Sequence, residues 1–176
     1  MNSAFLEFPR ERTDFSDANY AAIGRALAYA TSFEADCRAL SSLLQIKTTH
    51  LSTQDTDSAF VSAVAEVWSQ RLCQHIELVS KHWHFPANVA GTLKQAREAR
   101  NEITHDITLG ISHTVETDAG RTDILSTITQ LVRRIADGYI IVELASLVET
   151  HERLPTPQFI STYPSRIVEW VTDCAE

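Results

Sequence analysis

Glycine and proline are scarce in this chain, five of each in 176 residues. Long stretches therefore run without a backbone breaker, which favours helices over turn-rich sheets. Cysteine is scarcer still. Cys37, Cys73 and Cys174 are far apart and odd in number, and no CxxC pair exists. That pattern argues against a disulfide framework and predicts reduced, mostly structural thiols in a cytoplasmic protein. Positive charge is also in short supply, with 15 Lys and Arg against 23 Asp and Glu and a net charge of -8. A broad basic face for nucleic acid is excluded. A small basic pocket in an acidic body remains compatible, because fields focus in clefts, and so does a positively charged protein partner. No apolar run approaches the length of a membrane span; the most apolar zone, Tyr139 to Val148, carries Glu143 inside it. The opening "MNSAFLEFPRERTDF" has no apolar core followed by a cleavage site, so no signal peptide is expected. There is no glycine-rich phosphate loop, no GxSxG nucleophile motif, no internal repeat and no low-complexity tract.

What is present is ordinary globular composition, 44% apolar and 22% charged, in a length that fits one domain with a sizeable core. Residues 1–15 read as an irregular arm whose Phe5, Leu6 and Phe8 can dock on the body or on a partner. A first helix is expected after the capping residues Ser16 and Asp17 and runs to about Lys47. Its seam of Ile23, Leu27, Ala30, Glu34, Cys37, Leu40 and Leu44 keeps the three-four spacing of a core-facing stripe. A polar connection, "LSTQDTD", leads to a second helix from about Ser58 to His82, with Phe60, Val64, Val67, Leu72, Ile76, Val79 and Trp83 on its apolar side. "HFPAN" stops it. A third helix spans about Ala87 to Ile107, and Thr108 to Thr122 reads as a loop that can hold a short strand pair. A fourth helix follows Asp123 and continues to about Glu152 through Leu125, Ile128, Val132, Ile135, Tyr139 and Val142. Around Tyr139 to Val148 it is apolar on nearly every face, so it is buried deep or buried twice. After "LPTP", Pro164 suits the first turn of a short last helix with Ile167, Trp170 and Val171. The expected fold is all-α, a four-to-five-helix up-and-down bundle over 16–152 with a C-terminal extension over 153–176.

The third helix carries the most informative stretch, "AREARNEITHDI". Its apolar positions are Val89, Leu93, Ala96, Ile103 and Ile107, and Arg100 fills the gap in that seam. Glu34 interrupts the first helix in the same way. An ionised group facing a core costs several kcal/mol unless it is paired, so the two opposite charges are expected to meet. One reading is an ion pair that only fixes helix register. The surroundings offer another. Arg97, Asn101, Thr104, His105 and Thr108 form a polar stripe beside Arg100. Histidine can accept or donate a proton near neutral pH, arginine offers a planar fork to a phosphoryl group, and asparagine can orient a hydroxyl or phosphate oxygen. That set suits attack by a ribose 2′-hydroxyl on its neighbouring phosphate, which needs no metal and spares DNA. On an ideal helix Arg100 and His105 point roughly 140° apart; a flexible Arg can still curl toward a point near the imidazole, and a second copy packed across a two-fold axis would close the cavity from the other side.

"RNEITH", Arg100 to His105, resembles the signature of the HEPN superfamily: Arg, then a preferred Asn, Asp or His, three variable residues, then His. The resemblance covers roughly residues 16–152 and implies a bundle of HEPN type. Many members are metal-independent ribonucleases acting as toxins, antiphage effectors or parts of CRISPR systems, typically as dimers whose two motifs line one cleft. Carried onto this chain, the resemblance implies Arg100 and His105 as catalytic, Asn101 as supportive and Glu34 as the polar residue facing the motif from an early helix. Arg97 and Thr104 complete the expected substrate-positioning set. It also implies RNA as substrate and an antitoxin or regulatory protein as a further partner, with no metal, cofactor or membrane. Members controlled by a nucleotidyltransferase antitoxin often place Tyr two residues beyond the motif His; this chain has Ile107 there, which speaks against that mode of inactivation. Some members bind without cutting, so the alternative is a non-catalytic helical module that binds a nucleotide or a protein partner. The acidic net charge and the apolar zone of the fourth helix support it.

Other candidates are weaker. His82 and His84 are two apart, as are Cys73 and His75, whereas ligands on one helix face are three or four apart. "KHWHF" therefore reads as a helix end with surface imidazoles. Arg133 and Arg134, with Arg121, read as a solvated helix face or a phosphate-contact patch. Glu98 and Glu102 point away from the seam.

Overall fold

Ala22, Ile23, Ala26, Ala30, Phe33, Cys37, Leu40 and Leu44 are all buried along one long first helix, α1 (Asp14–Thr48). The buried face is wider than the predicted seam, because small alanines beside it admit neighbouring helices and bring Tyr29 and Phe33 into the core. The structure is a computed structural model that describes residues 14–48, 56–107 and 118–173. Most of the expected arm, the connection up to residue 55, the expected loop from 108 to 117, and Cys174 lie outside the described residues. Five further helices follow: α2 (Thr56–Ser69), α3 (Leu72–His82), α4 (Ala87–Asn101), α5 (Asp118–Glu149) and α6 (Pro157–Thr172). Among the described residues there is no strand, and the fold is an all-α bundle. No helix among them is long and apolar enough to cross a membrane.

The core joins α1, α3, α4 and α5, with Leu93, Ala96, Ala99 and Ile103 meeting Ile128, Val132, Ile135 and Ala136. Helices α4 and α5 cross closely. A Cβ added at Gly138 would overlap the Cβ of Ala96, so hydrogen is the largest group that fits at that crossing. Helix α5 packs on α1 and α4 and also on α6, and Val148 in its apolar zone stays exposed.

Three expectations are corrected. The predicted second helix is two helices, broken at Gln70 and Arg71. The Gln74 side chain accepts from the Arg71 backbone N–H at 2.8 Å and so caps the start of α3. The last helix is not short, and Pro164 lies inside it. It starts at Pro157, with the Thr156 hydroxyl accepting from the Phe159 N–H at 3.2 Å, which is the favoured pairing of cap and first-turn proline. Finally, α5 begins at Asp118, ahead of the expected Asp123.

The chain ends of two helices are built alike. His84 and His151 take φ of 48° and 59°. At each, the following N–H reaches back five residues, Phe85 to the Ser80 carbonyl and Glu152 to the Leu147 carbonyl. These are left-handed caps with non-glycine residues, and "KHWHF" is a helix end as expected. Arg25 fastens the end of α6 onto α1 by donating to the carbonyls of Val171 at 3.0 Å and Asp173 at 2.8 Å.

Candidate functional site

Ala99 on α4 and Ile103 just beyond its end are fully buried, and Arg100 lies at the edge of that face. Its side chain is only 18% exposed. It does not enter the core alone: its Nη2 donates to the Glu34 carboxylate from α1, and its Nη1 donates to Asn101 Oδ1 at 3.0 Å. The two interruptions of apolar pattern thus neutralise each other, as expected. Glu34 has a second partner that the sequence reading missed. Arg38, one turn along α1, donates through Nη2 to the other carboxylate oxygen at 3.2 Å. Two guanidinium groups share one carboxylate, which leaves a unit of positive charge in a protein that is acidic as a whole. The Nε atoms of Arg38, Arg97 and Arg100 are buried and have no hydrogen-bond partner among the described residues.

The helix changes its winding just after Arg100. Residues Glu102–Asp106 form a π-helical turn, and the Ile107 N–H bonds the Glu102 carbonyl five residues back. The Thr104 hydroxyl donates to the carbonyls of Arg100 at 3.0 Å and Asn101 at 3.1 Å, where the repeat changes from four to five. A threonine hydroxyl that competes for helix carbonyls loosens the regular ladder, and a π turn is a frequent feature of functional sites. An i→i+5 turn holds more residues than an α turn, so the ideal α-helical angle between Arg100 and His105 does not apply across it. His105 is exposed, and among the described residues it makes no hydrogen bond. Arg97 pairs with Glu98 at 3.7 Å and has no direct bond to Arg100. The structure therefore joins Glu34, Arg100, Asn101 and Thr104, adds Arg38, and leaves His105 facing solvent.

Behind this cluster lies a buried polar pair. Ser41 Oγ and His75 Nδ1 are 2.6 Å apart, and both residues are fully buried. The Ser41 hydroxyl also donates to the Arg38 carbonyl at 3.0 Å, and His75 Nε2 is buried with no hydrogen-bond partner among the described residues. Burial and the charge of Arg38 push the His75 pKa down, against smaller upward effects of the Gln70 backbone and Glu34. In front of Arg38 stands Trp68, with the guanidinium carbon 5.2 Å from the ring centroid. The i, i+4 spacing of Glu34 and Arg38 was a visible signal for Arg38. The placement of Trp68 and His75 comes from packing between helices and had no such signal.

The remaining candidates separate from the site. His82 Nε2 lies 3.2 Å from Glu149, whose other oxygen accepts from Lys47 at 2.7 Å. Arg133 and Arg134 are exposed, and Arg133 donates to Ser165 on α6 at 3.1 Å. Cys37 is buried and Cys73 is half-buried, both as free thiols. A cavity of about 200 Å³ between α5 and α6 is lined by Tyr139, Glu143, Phe159 and Tyr163 among others. Burial pushes the Glu143 carboxyl up, and Asp36 and Glu152 add to that.

No family model, curated protein or solved structure matches the chain.

Proposed function

We propose that the chain is a metal-independent endoribonuclease of the HEPN type, acting in the cytoplasm as a homodimer in a toxin or antiphage role. The observation that carries this reading is the clamp on Arg100: Glu34 on one side and Asn101 on the other hold the guanidinium of "RNEITH". A fork held in place loses less freedom when it takes up a phosphate, and preorganised charge is the larger part of catalysis of this kind.

The chemistry follows from those groups. A 2′-hydroxyl attacks the adjacent phosphorus, its proton passing to an imidazole, while the 5′-oxygen leaves and takes up a proton. The P–O bond to the 2′-oxygen forms as the bond to the 5′-oxygen breaks, giving a 2′,3′-cyclic phosphate and a 5′-hydroxyl. Arg100 stabilises the negative charge on the non-bridging phosphate oxygens in the transition state. His105 moves the protons, and two copies across a dimer axis supply both an acid and a base. The exposure of His105 in the single chain agrees with a site that a partner subunit and substrate complete. Pooled RNA incubated with protein in excess chelator tests the proposal. Cleavage is expected, falling about 10²-fold or more in His105→Ala and by a similar factor in Arg100→Ala. No cleavage by a folded dimer, or unchanged cleavage by His105→Ala, refutes it.

The second reading is a non-catalytic binding module, and the cavity between α5 and α6 favours it. It predicts that Arg100→Ala lowers thermal stability or partner binding while RNA stays intact with every variant.

A further inference from the structure

Trp68 is one of the largest side chains this protein leaves in the open, with 61% of its surface exposed in the last turn of α2. An indole in that state loses the burial that normally stabilises it. It is nevertheless engaged: the Arg38 guanidinium stands over the ring, close enough for a cation–π contact. The same guanidinium reaches Glu34, and Glu34 reaches Arg100. An unbroken series of contacts therefore runs from an exposed aromatic face, through a shared positive charge, to the proposed catalytic arginine.

We infer that Trp68 and Arg38 form a stacking platform for an unpaired base of the bound RNA. This rests on the ribonuclease reading of the Arg100 site and adds a base-binding site to it. A nucleotide carries an aromatic face and a negative charge in one unit, and the patch presents the complement of both. Stacking on aromatic and guanidinium planes is how proteins hold splayed bases. A duplex cannot use the platform, because its bases are already stacked on one another. Val61, seven residues before Trp68 and 64% exposed, extends the apolar side of this face. A purely apolar protein partner seated there would have to strip water from Arg38 without offering it an anion, which is costly. The charge thus favours a nucleotide over a protein on this face.

Binding of a 2′-O-methyl RNA oligonucleotide, which lacks the attacking hydroxyl, tests this by fluorescence anisotropy with the full chain. The wild type is expected to bind the single strand and to bind its duplex more weakly. Trp68→Ala raises the Kd for the single strand about tenfold, Trp68→Phe retains most of the affinity, and Trp170→Ala, at another exposed indole, leaves it unchanged. Cleavage of unmodified RNA is followed in parallel. Binding that depends on Trp68 without any cleavage keeps the platform and removes the catalytic reading. Cleavage by the wild type with unchanged affinity in Trp68→Ala overturns the platform and leaves the nuclease standing. Loss of self-association in Trp68→Ala by sedimentation, with single-strand affinity unchanged, makes the face a protein contact and overturns the platform. Failure of the wild type to bind either oligonucleotide overturns both.

Discussion

Glu34 organises the candidate site, because one carboxylate holds two guanidinium groups from two helices. That a charge from α1 meets Arg100 was legible in the sequence, since each residue interrupts an apolar seam and neither can stand unpaired near a core. The sharing with Arg38 was not, because an i, i+4 pair of opposite charges reads equally well as a solvated surface pair. His75 adds a pH dependence that can be measured. Its imidazole is held neutral by burial and by the charge of Arg38, with a folded pKa below its ordinary value of about 6.5. The unfolded chain therefore binds a proton more readily than the folded one in that interval. The stabilising effect is full above about pH 6.5 and is lost as pH falls from there toward the depressed folded value. Thermal melts between pH 7.5 and about pH 5 are expected to fall more steeply for the wild type than for His75→Gln. Equal slopes for the two proteins contradict this role of His75.

Helix α4 is positioned by its crossing with α5, and the crossing depends on Gly138. Gly138→Ala is expected to destabilise the protein by about 1–3 kcal/mol through overpacking against Ala96, even though alanine is the better helix former. Gly24 is the control, since a Cβ there meets nothing within 4 Å. Gly24→Ala is expected to stabilise by up to about 1 kcal/mol. Urea denaturation of both variants checks the opposite signs, and a stabilised Gly138→Ala would remove the close crossing from the account. The long helices α1, α4 and α5 were legible because their apolar residues recur at three and four. The break between α2 and α3 was also written in the pattern, as the step of five from Val67 to Leu72, but with no glycine or proline there the step was absorbed into one helix. Pro164 misled in the other direction. A proline attracts the start of a helix to itself, yet Thr156 and Pro157 make the stronger start, and the hydroxyls of Ser161 and Thr162 bond the Gln158 carbonyl in the turn before Pro164.

The ribonuclease proposed above is acidic and would have to confine its positive charge, and the Arg38–Glu34–Arg100 cluster holds one unit across α1 and α4. The all-α fold followed from the scarcity of glycine and proline together with helical periodicity. The relation between Arg100 and His105 did not follow, because nothing in the spacing marks the π turn formed by Glu102–Asp106. Nor could periodicity reveal the exposed indole beside Arg38, which is a product of packing between α1 and α2. The account stands on a guanidinium and an imidazole from one helix acting, in a dimer, on a single ribose–phosphate link. A mapped cleavage site resynthesised with one 2′-deoxy ribose at the cut, incubated in excess chelator, puts that to the test. The account predicts that this site alone becomes resistant, that the unmodified RNA yields 2′,3′-cyclic phosphate ends, and that His105→Ala cuts neither. Cleavage at the deoxy position, or a requirement for a divalent metal, would contradict it.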